Sequence, residues 1–361
     1  MQRLCIGFAA LAVLATTAFG QSFPPAWSST AHYALGDIVQ ENQNYYRCTH
    51  AVTTPTLDPS KAYFNWELWE VRLNTTVLIG TGQTFPTLQA AWAYGQCARI
   101  SQGAYLHYYL VSTQGAHSET ISSGLSLDHP FGASISIIGD SEAKNSLHIP
   151  FGSNGITIDS GHALALISNV QLLGDDEAHV ALTASDNSLI SLSNCNVNGF
   201  DNCLHATFGA MLHLSPTVTF TGAGNSPVWR TAVLADFGGR VIMPGVTLDG
   251  QNNYWLQTTG IEASEDGYID AQSCNVSYAD TCVEARYMGQ VDFTSGSATN
   301  GGYGLYATAR GSITATYCSF GGASFADIYC RSGAFVLADS YNEAPSVDIG
   351  VNDGSAVVEI A

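Results

Sequence analysis

Through the C-terminal half of the chain, apolar and polar positions alternate with period 2 in short bursts, and the bursts recur. One burst reads Ile/Leu/Val-x-Ala, followed after two or three residues by Gly-x-Ile/Leu/Val. It appears as Leu204-His-Ala206 with Gly209-Ala-Met211, Val233-Leu-Ala235 with Gly239-Arg-Val241, and Ile261-Glu-Ala263 with Gly267-Tyr-Ile269. It continues as Val283-Glu-Ala285 with Gly289-Gln-Val291, Leu305-Tyr-Ala307 with Gly311-Ser-Ile313, and Ile328-Tyr-Cys330 with Gly333-Ala-Phe335. Degenerate copies begin at Leu182 and Ile349, and the successive starts lie 22, 29, 28, 22, 22, 23 and 21 residues apart. A third short apolar segment follows in several units, among them Val246-Thr-Leu248, Cys274-Asn-Val276 and Cys318-Ser-Phe320.

Period 2 predicts strands, because successive side chains of a strand point to opposite faces. Three short strands in each unit predict an all-β chain folded as a parallel β-helix, whose rungs stack about 4.8 Å apart over one continuous core. Glycine or asparagine at the corners is expected to supply positive φ. The two long intervals predict loops near Gly222–Val228 and Gly250–Thr259, and loops leaving one face of a solenoid are where binding is expected.

The stacking register names candidate columns. The outward position inside Ile/Val-x-Ala carries His205, Leu234, Glu262, Glu284, Tyr306 and Tyr329 on successive rungs. Two residues later come Ser264, Arg286 and Thr308, and after Gly-x-Ile/Val come Asp270 and Asp292. Glu262 and Glu284 one rung apart place like charges about 5 Å from each other, which raises one pKa or recruits a cation. That spacing suits the carboxylates of a retaining glycosidase, with Arg286 alongside, and also suits two calcium oxygens. A structural cluster neutralised by Arg286 remains the simpler alternative. The triplet Asp175-Asp176-Glu177 reads as a solvated turn, and the histidines show no metal spacing.

The remaining chain divides in three. Residues 1–20 read as a signal peptide: Arg3, an apolar run Ile6–Ala15, and Ala18-Phe-Gly20 as a cleavage site. That run is too short to cross a bilayer, so secretion without membrane insertion is expected. Residues 21–72 are aromatic-rich, and 73–361 form the solenoid. At its entry Pro86 precedes a stripe of Leu88, Ala91 and Trp92, which predicts a short helix closing the open end of the stack.

Charge narrows the partners. The net charge is −19, with Lys61 and Lys144 the only lysines. Nucleic acid and anionic membrane are poor partners for such a surface, and a hydroxyl-rich ligand suits it better than a polyanion. Beyond Cys5 the chain holds Cys48, Cys97, Cys195, Cys203, Cys274, Cys282, Cys318 and Cys330, an even set that predicts disulfides after export. Equal spacing pairs Cys195 with Cys203 and Cys274 with Cys282; Cys318 with Cys330 and Cys48 with Cys97 follow. Free thiols stacked in the core are the alternative. Asn74-Thr-Thr and Asn275-Val-Ser match glycosylation acceptors.

Two resemblances add to this reading. Trp27, Tyr33, Gly36-Asp37, Tyr45-Tyr46-Arg47 and Trp69-Glu-Val71 resemble the small chitin- and cellulose-binding modules of secreted glycosidases and phage tail proteins. The resemblance implies a carbohydrate platform, for which Trp66, Tyr63 and His50 are candidates; the alternative is that the aromatics form the core of a very small domain. The Gly80-Thr-Gly82…Thr87-Leu-Gln-Ala-Ala91 opening, with His129-Pro-Phe-Gly132, resembles pectin-lyase-like right-handed β-helices of phage tail and secreted proteins. That superfamily includes pectin methylesterases, polygalacturonases and polysaccharide lyases, but none of their catalytic sets has a full counterpart here. The combined expectation is a secreted, non-catalytic protein that binds polysaccharide or cell-surface glycan, with Tyr306 also in contact. The alternatives are a polysaccharide-degrading enzyme using Glu262, Glu284 and Arg286, with calcium as a possible cofactor, and an adhesive rod.

Overall fold

Val283 and Ala285 are fully buried while Glu284 between them is not, and similar alternation marks many of the predicted strands. In the computed structural model, Thr281–Ala285, Gln290–Asp292 and Ser297–Thr299 make one rung, and Tyr303–Ala307 returns above Thr281–Ala285 with Val283 under Leu305. Stacking such rungs gives a parallel β-solenoid of about 10 turns. The structure describes residues 24–53, 57–62, 64–112, 115–150, 153–221, 231–250, 258–339, 349–351 and 355–360. The segment expected to be a signal peptide, Tyr63, and the two long loops except Gly250, Thr258 and Thr259 lie outside them.

Among the described residues, the middle strands of the rungs form a 12-stranded sheet. The first and third strands share a 17-stranded one. Leu, Ile, Val and Ala from both fill one core running along the axis, most of them fully buried. An in-register ladder of this kind satisfies its backbone groups between neighbouring rungs and buries identical positions on top of one another.

At some corners the expectation holds, since Gly209 (76°), Gly333 (71°), Asn187 (63°) and Asn300 (56°) have positive φ, but three motif copies between them differ. Positive φ is carried by the two residues before the motif glycine: Glu265 and Asp266 (50° and 65°), Tyr287 and Met288 (49° and 67°), Ala309 and Arg310 (48° and 66°). Gly267, Gly289 and Gly311 are not in the left-handed region. A Cβ on them would run into the carbonyl oxygens of Ala235, Ala263 and Ala285 on the rung below, so close approach demands glycine there. The first and last full copies are offset by one: Met211 stacks under Arg240 and Leu212 under Val241, and Val336, not Phe335, stacks on Ile313.

The expected helix is present as Leu88–Gly95, with Leu88, Ala91 and Trp92 buried. Thr87 caps it by accepting from the Ala90 N–H, and the Glu119 carboxylate accepts from the Leu88 and Gln89 N–H groups at 2.5 and 3.1 Å. Those are orphan donors of the first turn, where a negative charge is also favoured by the helix dipole. Residues ahead of it form an antiparallel sheet of Ile38–Glu41, Asn44–Cys48 and Trp66–Val71. The last strand pairs with Arg99–Ile100, and Tyr46 and Phe85 pack on Tyr94, so this module and the first rungs share a core. Asp175 lies within the strand Gln171–Ala184, where it pairs with His148 at 2.8 Å, instead of on a solvated turn.

The disulfides are a correction. No cysteine pair is bonded among the described residues. Cys195, Cys274 and Cys318 each sit at the start of a third strand with the thiol aimed at a carbonyl of the preceding rung: Ile167 (3.6 Å), Met243 (2.8 Å) and Phe293 (2.9 Å). Cys203 and Cys282 lie beside Leu204 and Val283 in the core, and Cys330 takes the alanine position above Ala307. Cys48 is buried and Cys97 exposed, which separates the fourth expected pair as well. Burial pushes the thiols of Cys274 and Cys282 up to about 12 and that of Cys318 up to about 11. These cysteines act as small apolar core residues.

Candidate functional site

The ladder stacks His205, Leu234, Glu262, Glu284, Tyr306 and Tyr329 in one column, as the repeat predicts. Glu262 follows Ile261 on the strand Thr259–Ala263, Glu284 follows Val283 on Thr281–Ala285, and Tyr306 follows Leu305 on Tyr303–Ala307. Anchoring of the flanking apolar residues in the core therefore fixes the three outward side chains at rung spacing. Arg286, just past its strand, reaches back over the two glutamates. It pairs with Glu262 Oε1, and its Nε lies 4.0 Å from Glu284 Oε1. Thr231 donates to Glu262 Oε2 at 3.3 Å and Thr259 to Glu284 Oε2 at 3.4 Å.

These groups line a cavity of about 330 Å³ together with Asp280, Thr281 and Tyr303. Burial, reinforced by Glu262 and only partly offset by Arg286, raises Glu284 from 4.5 to about 7. Burial also raises Asp280 above the usual aspartate value. The cavity thus holds a glutamate that carries its proton at mildly acidic pH. Its far wall is aromatic: Tyr306 stacks on Tyr329 (5.2 Å, 13°), and Tyr303 meets Tyr306 edge-on (5.2 Å, 64°) and Phe325 at 5.3 Å. The Arg331 guanidinium sits over the Tyr306 ring at 5.4 Å.

Sequence reasoning found Glu262, Glu284, Arg286 and Tyr306, and the fold brings all four together. It missed Thr231, Thr259, Thr281 and Tyr303, which form a column of their own two residues before each Ile/Leu/Val. Strict alternation would turn Thr281 inward with Val283. Instead three consecutive residues, Thr281, Cys282 and Val283, are buried, the alternation breaks, and Thr281 faces the outer cavity. Asp280 and Phe325 carry no repeat signal. The cation expected between Glu262 and Glu284 has a resident counterpart, since the Arg286 guanidinium lies against both carboxylates.

The other sequence candidates lie elsewhere. Asp270 and Asp292 stack on the 12-stranded sheet, away from the glutamates, and Asp292 accepts from Gln272 (2.9 Å) and Thr294 (2.7 Å). Trp66 is 1% exposed and packs edge-on against Tyr33 at 5.0 Å; it is core, and it cannot serve as a sugar platform. His50 is exposed beside Thr49. Tyr63 falls outside the described residues. A second cavity, of about 380 Å³, lies between the N-terminal module and the first rungs, with Asn44, Lys61, Asn74 and Thr84 in its lining. Asp128, Asp159 and His162 place ligand atoms within 4.8 Å of one another, but Asp128 already accepts from the Asp159 N–H and from Ser126.

Two exposed rings were also missed. Phe208 and Phe237 stack at 5.1 Å and 13° on the turn edge of adjacent rungs, both in left-handed backbone. Beside them His205 pairs with Asp236 at 3.0 Å.

No family model, no curated protein and no solved structure matches the chain.

Proposed function

We propose that the chain is a secreted glycan-binding protein and that the cavity of Glu262, Glu284, Arg286, Tyr303 and Tyr306 receives the sugar. One observation carries the reading: carboxylates, a guanidinium, threonine hydroxyls and tyrosine rings converge on a concave surface held by rigid strands. Carbohydrate recognition needs that mixture. Hydroxyl pairs of a sugar hydrogen-bond to carboxylates and guanidinium, and the apolar C–H face of the ring packs on an aromatic one. The aromatic wall continues the carboxylate column along the solenoid axis, so a linear polysaccharide would lie along that axis, across successive rungs. Support also comes from the resemblance to pectin-lyase-like helices and to small chitin- and cellulose-binding modules, and from the signal-like N-terminus.

The test is titration of mature protein against a panel of soluble oligosaccharides and depletion on insoluble polysaccharides. Binding that falls at least tenfold in Tyr306→Ala supports the cavity as the site. Absence of binding across the whole panel refutes the proposal.

Hydrolysis is a second reading, favoured by the proton that Glu284 retains to about 7 beside a second carboxylate. Against it, Glu262 is 5% exposed and both its oxygens are engaged by Arg286 and Thr231. A nucleophile or base needs a free oxygen aimed at the ring or at a water. Release of reducing ends from the same panel, lost in Glu284→Gln, would put hydrolysis first.

A further inference from the structure

The cavity has a charge imbalance that a neutral sugar would leave uncompensated. Three carboxylates line it, from Glu262, Glu284 and Asp280, against the single guanidinium of Arg286. Arg286 is directed at Glu262 and Glu284, so Asp280 at the other side has no cationic partner among the lining groups. The Asp280 backbone N–H donates to the Thr258 hydroxyl at 3.0 Å, which holds this residue's backbone beside the cavity. The nearest further cation, Arg331, is turned to the Tyr306 ring and to Thr308 at 3.3 Å. Tyr303 and Tyr306 stand beside these acids, and aromatic rings also attract cations. The whole chain, at −19, adds a long-range field of the same sign.

Resting on the glycan-binding reading, we infer that the ligand of this cavity is an amino sugar polymer with free ammonium groups. The ammonium sits between Asp280 and Glu284, and the ring packs on the Tyr303–Tyr306 wall. An N-acetylated or purely hydroxylated chain of the same shape would fill the wall but leave the acids unpaired, and a uronic acid chain would be repelled.

A specific consequence follows for protons. Glu284 faces Glu262 from the rung below, Arg286 from its own rung and Arg331 from beyond Tyr306, and Asp280 shares its cavity. Burial, with Glu262 adding to it against the two arginines, raises it to about 7, so in the empty cavity it keeps its proton at mildly acidic pH and part of it at neutrality. An arriving ammonium favours the carboxylate, so binding releases a proton to solvent. A neutral sugar has no such effect.

The experiment is calorimetric titration of full-length mature protein with three probes, at mildly acidic pH, where the sugar amines and Glu284 both carry their protons. They are the β-1,4-linked hexamers of glucosamine, N-acetylglucosamine and glucose, each run in two buffers of different ionisation enthalpy. Expected is binding of the glucosamine hexamer at least tenfold tighter than the other two, with proton release. Glu284→Gln should abolish the proton release and weaken that probe about tenfold, and Tyr306→Ala should weaken it similarly. If a neutral hexamer binds as well as or better than the amine, the inference falls while glycan binding stands. If no hexamer binds, both fall. If the amine hexamer binds equally to both variants, its attraction is diffuse surface charge, and the inference is again overturned.

Discussion

Replacing Glu284 by glutamine should stabilise the protein, by an amount that grows as pH rises from 4.5 to about 7 and then stays constant. The side chain keeps its volume and its contact with Thr259, and loses only the ability to ionise. In the unfolded chain this glutamate titrates near 4.5, in the folded chain at about 7. Between those values the unfolded chain sheds the proton and the folded chain retains it, so folding stability falls as pH rises through the window. Below 4.5 both states carry the proton and the difference vanishes. Above 7 the full penalty holds: the gap from 4.5 to about 7, at ~1.4 kcal/mol per pH unit, gives ~3.5 kcal/mol. The side chain is 14% exposed, so solvent screening removes little of this. Between pH 5 and pH 8 the advantage of Glu284→Gln over the wild type should therefore grow by ~2.5 kcal/mol. Urea titrations of both proteins at the two pH values read this directly, provided the slopes agree, since a midpoint shift at constant slope is a stability change. Every other titrating group is common to both proteins and largely cancels. If the advantage is the same at both pH values to within ~1 kcal/mol, Glu284 is not held protonated by its surroundings, and the account of the cavity's electrostatics is wrong.

Three further outcomes are expected. Gly289→Ala should destabilise by about 1–3 kcal/mol in the same titration, because its Cβ would collide with the Ala263 carbonyl on the rung below. Alkylating reagent applied to native protein should leave Cys195, Cys203, Cys274, Cys282 and Cys318 unmodified, and reductant should not move the unfolding midpoint; mass spectrometry after denaturation reads the thiols. Trp66→Ala should cost about 3–5 kcal/mol of local stability in the N-terminal module without changing affinity at the Glu284 cavity, as hydrogen exchange and titration against the same sugars would show.

The solenoid is legible in the chain because one rule, inward residues stacked at a fixed period, is written eight times over. A column of outward residues can be read from the same rule, which is why Glu262, Glu284 and Tyr306 are found together. What the pattern conceals is departure from the rule. Thr281 faces outward where alternation points it inward, and the motif glycines answer to a carbonyl on another rung, which no local pattern displays. The cysteines mislead for a similar reason. Equal spacing of Cys195/Cys203 and Cys274/Cys282 reflects the repeat itself, since each member stacks in its own core position. The small N-terminal module misleads through size: a sheet of so few residues needs Trp66 and Tyr33 for its own interior.

Glu262 and Glu284 stand apart from the other acids of the ladder in a way that bears on purpose. Asp270 and Asp292 are also stacked in register, but they remain partly exposed, and Asp292 is satisfied by Gln272 and Thr294. Glu262 is almost wholly buried, and its like-charged neighbour lies one rung away. A ladder gains nothing from such a pair that two threonines or valines would not supply, because inter-rung hydrogen bonds are made by the backbone whatever the side chain. Bringing the half-exposed Arg286 over both offsets part of the repulsion, yet burying two carboxyl groups is still less favourable than packing apolar groups of equal volume. Folding therefore does not account for this arrangement. The proposal that the cavity receives a ligand would account for it, since a ligand meeting carboxylates already held in place is spared the reorganisation those groups would otherwise undergo on binding.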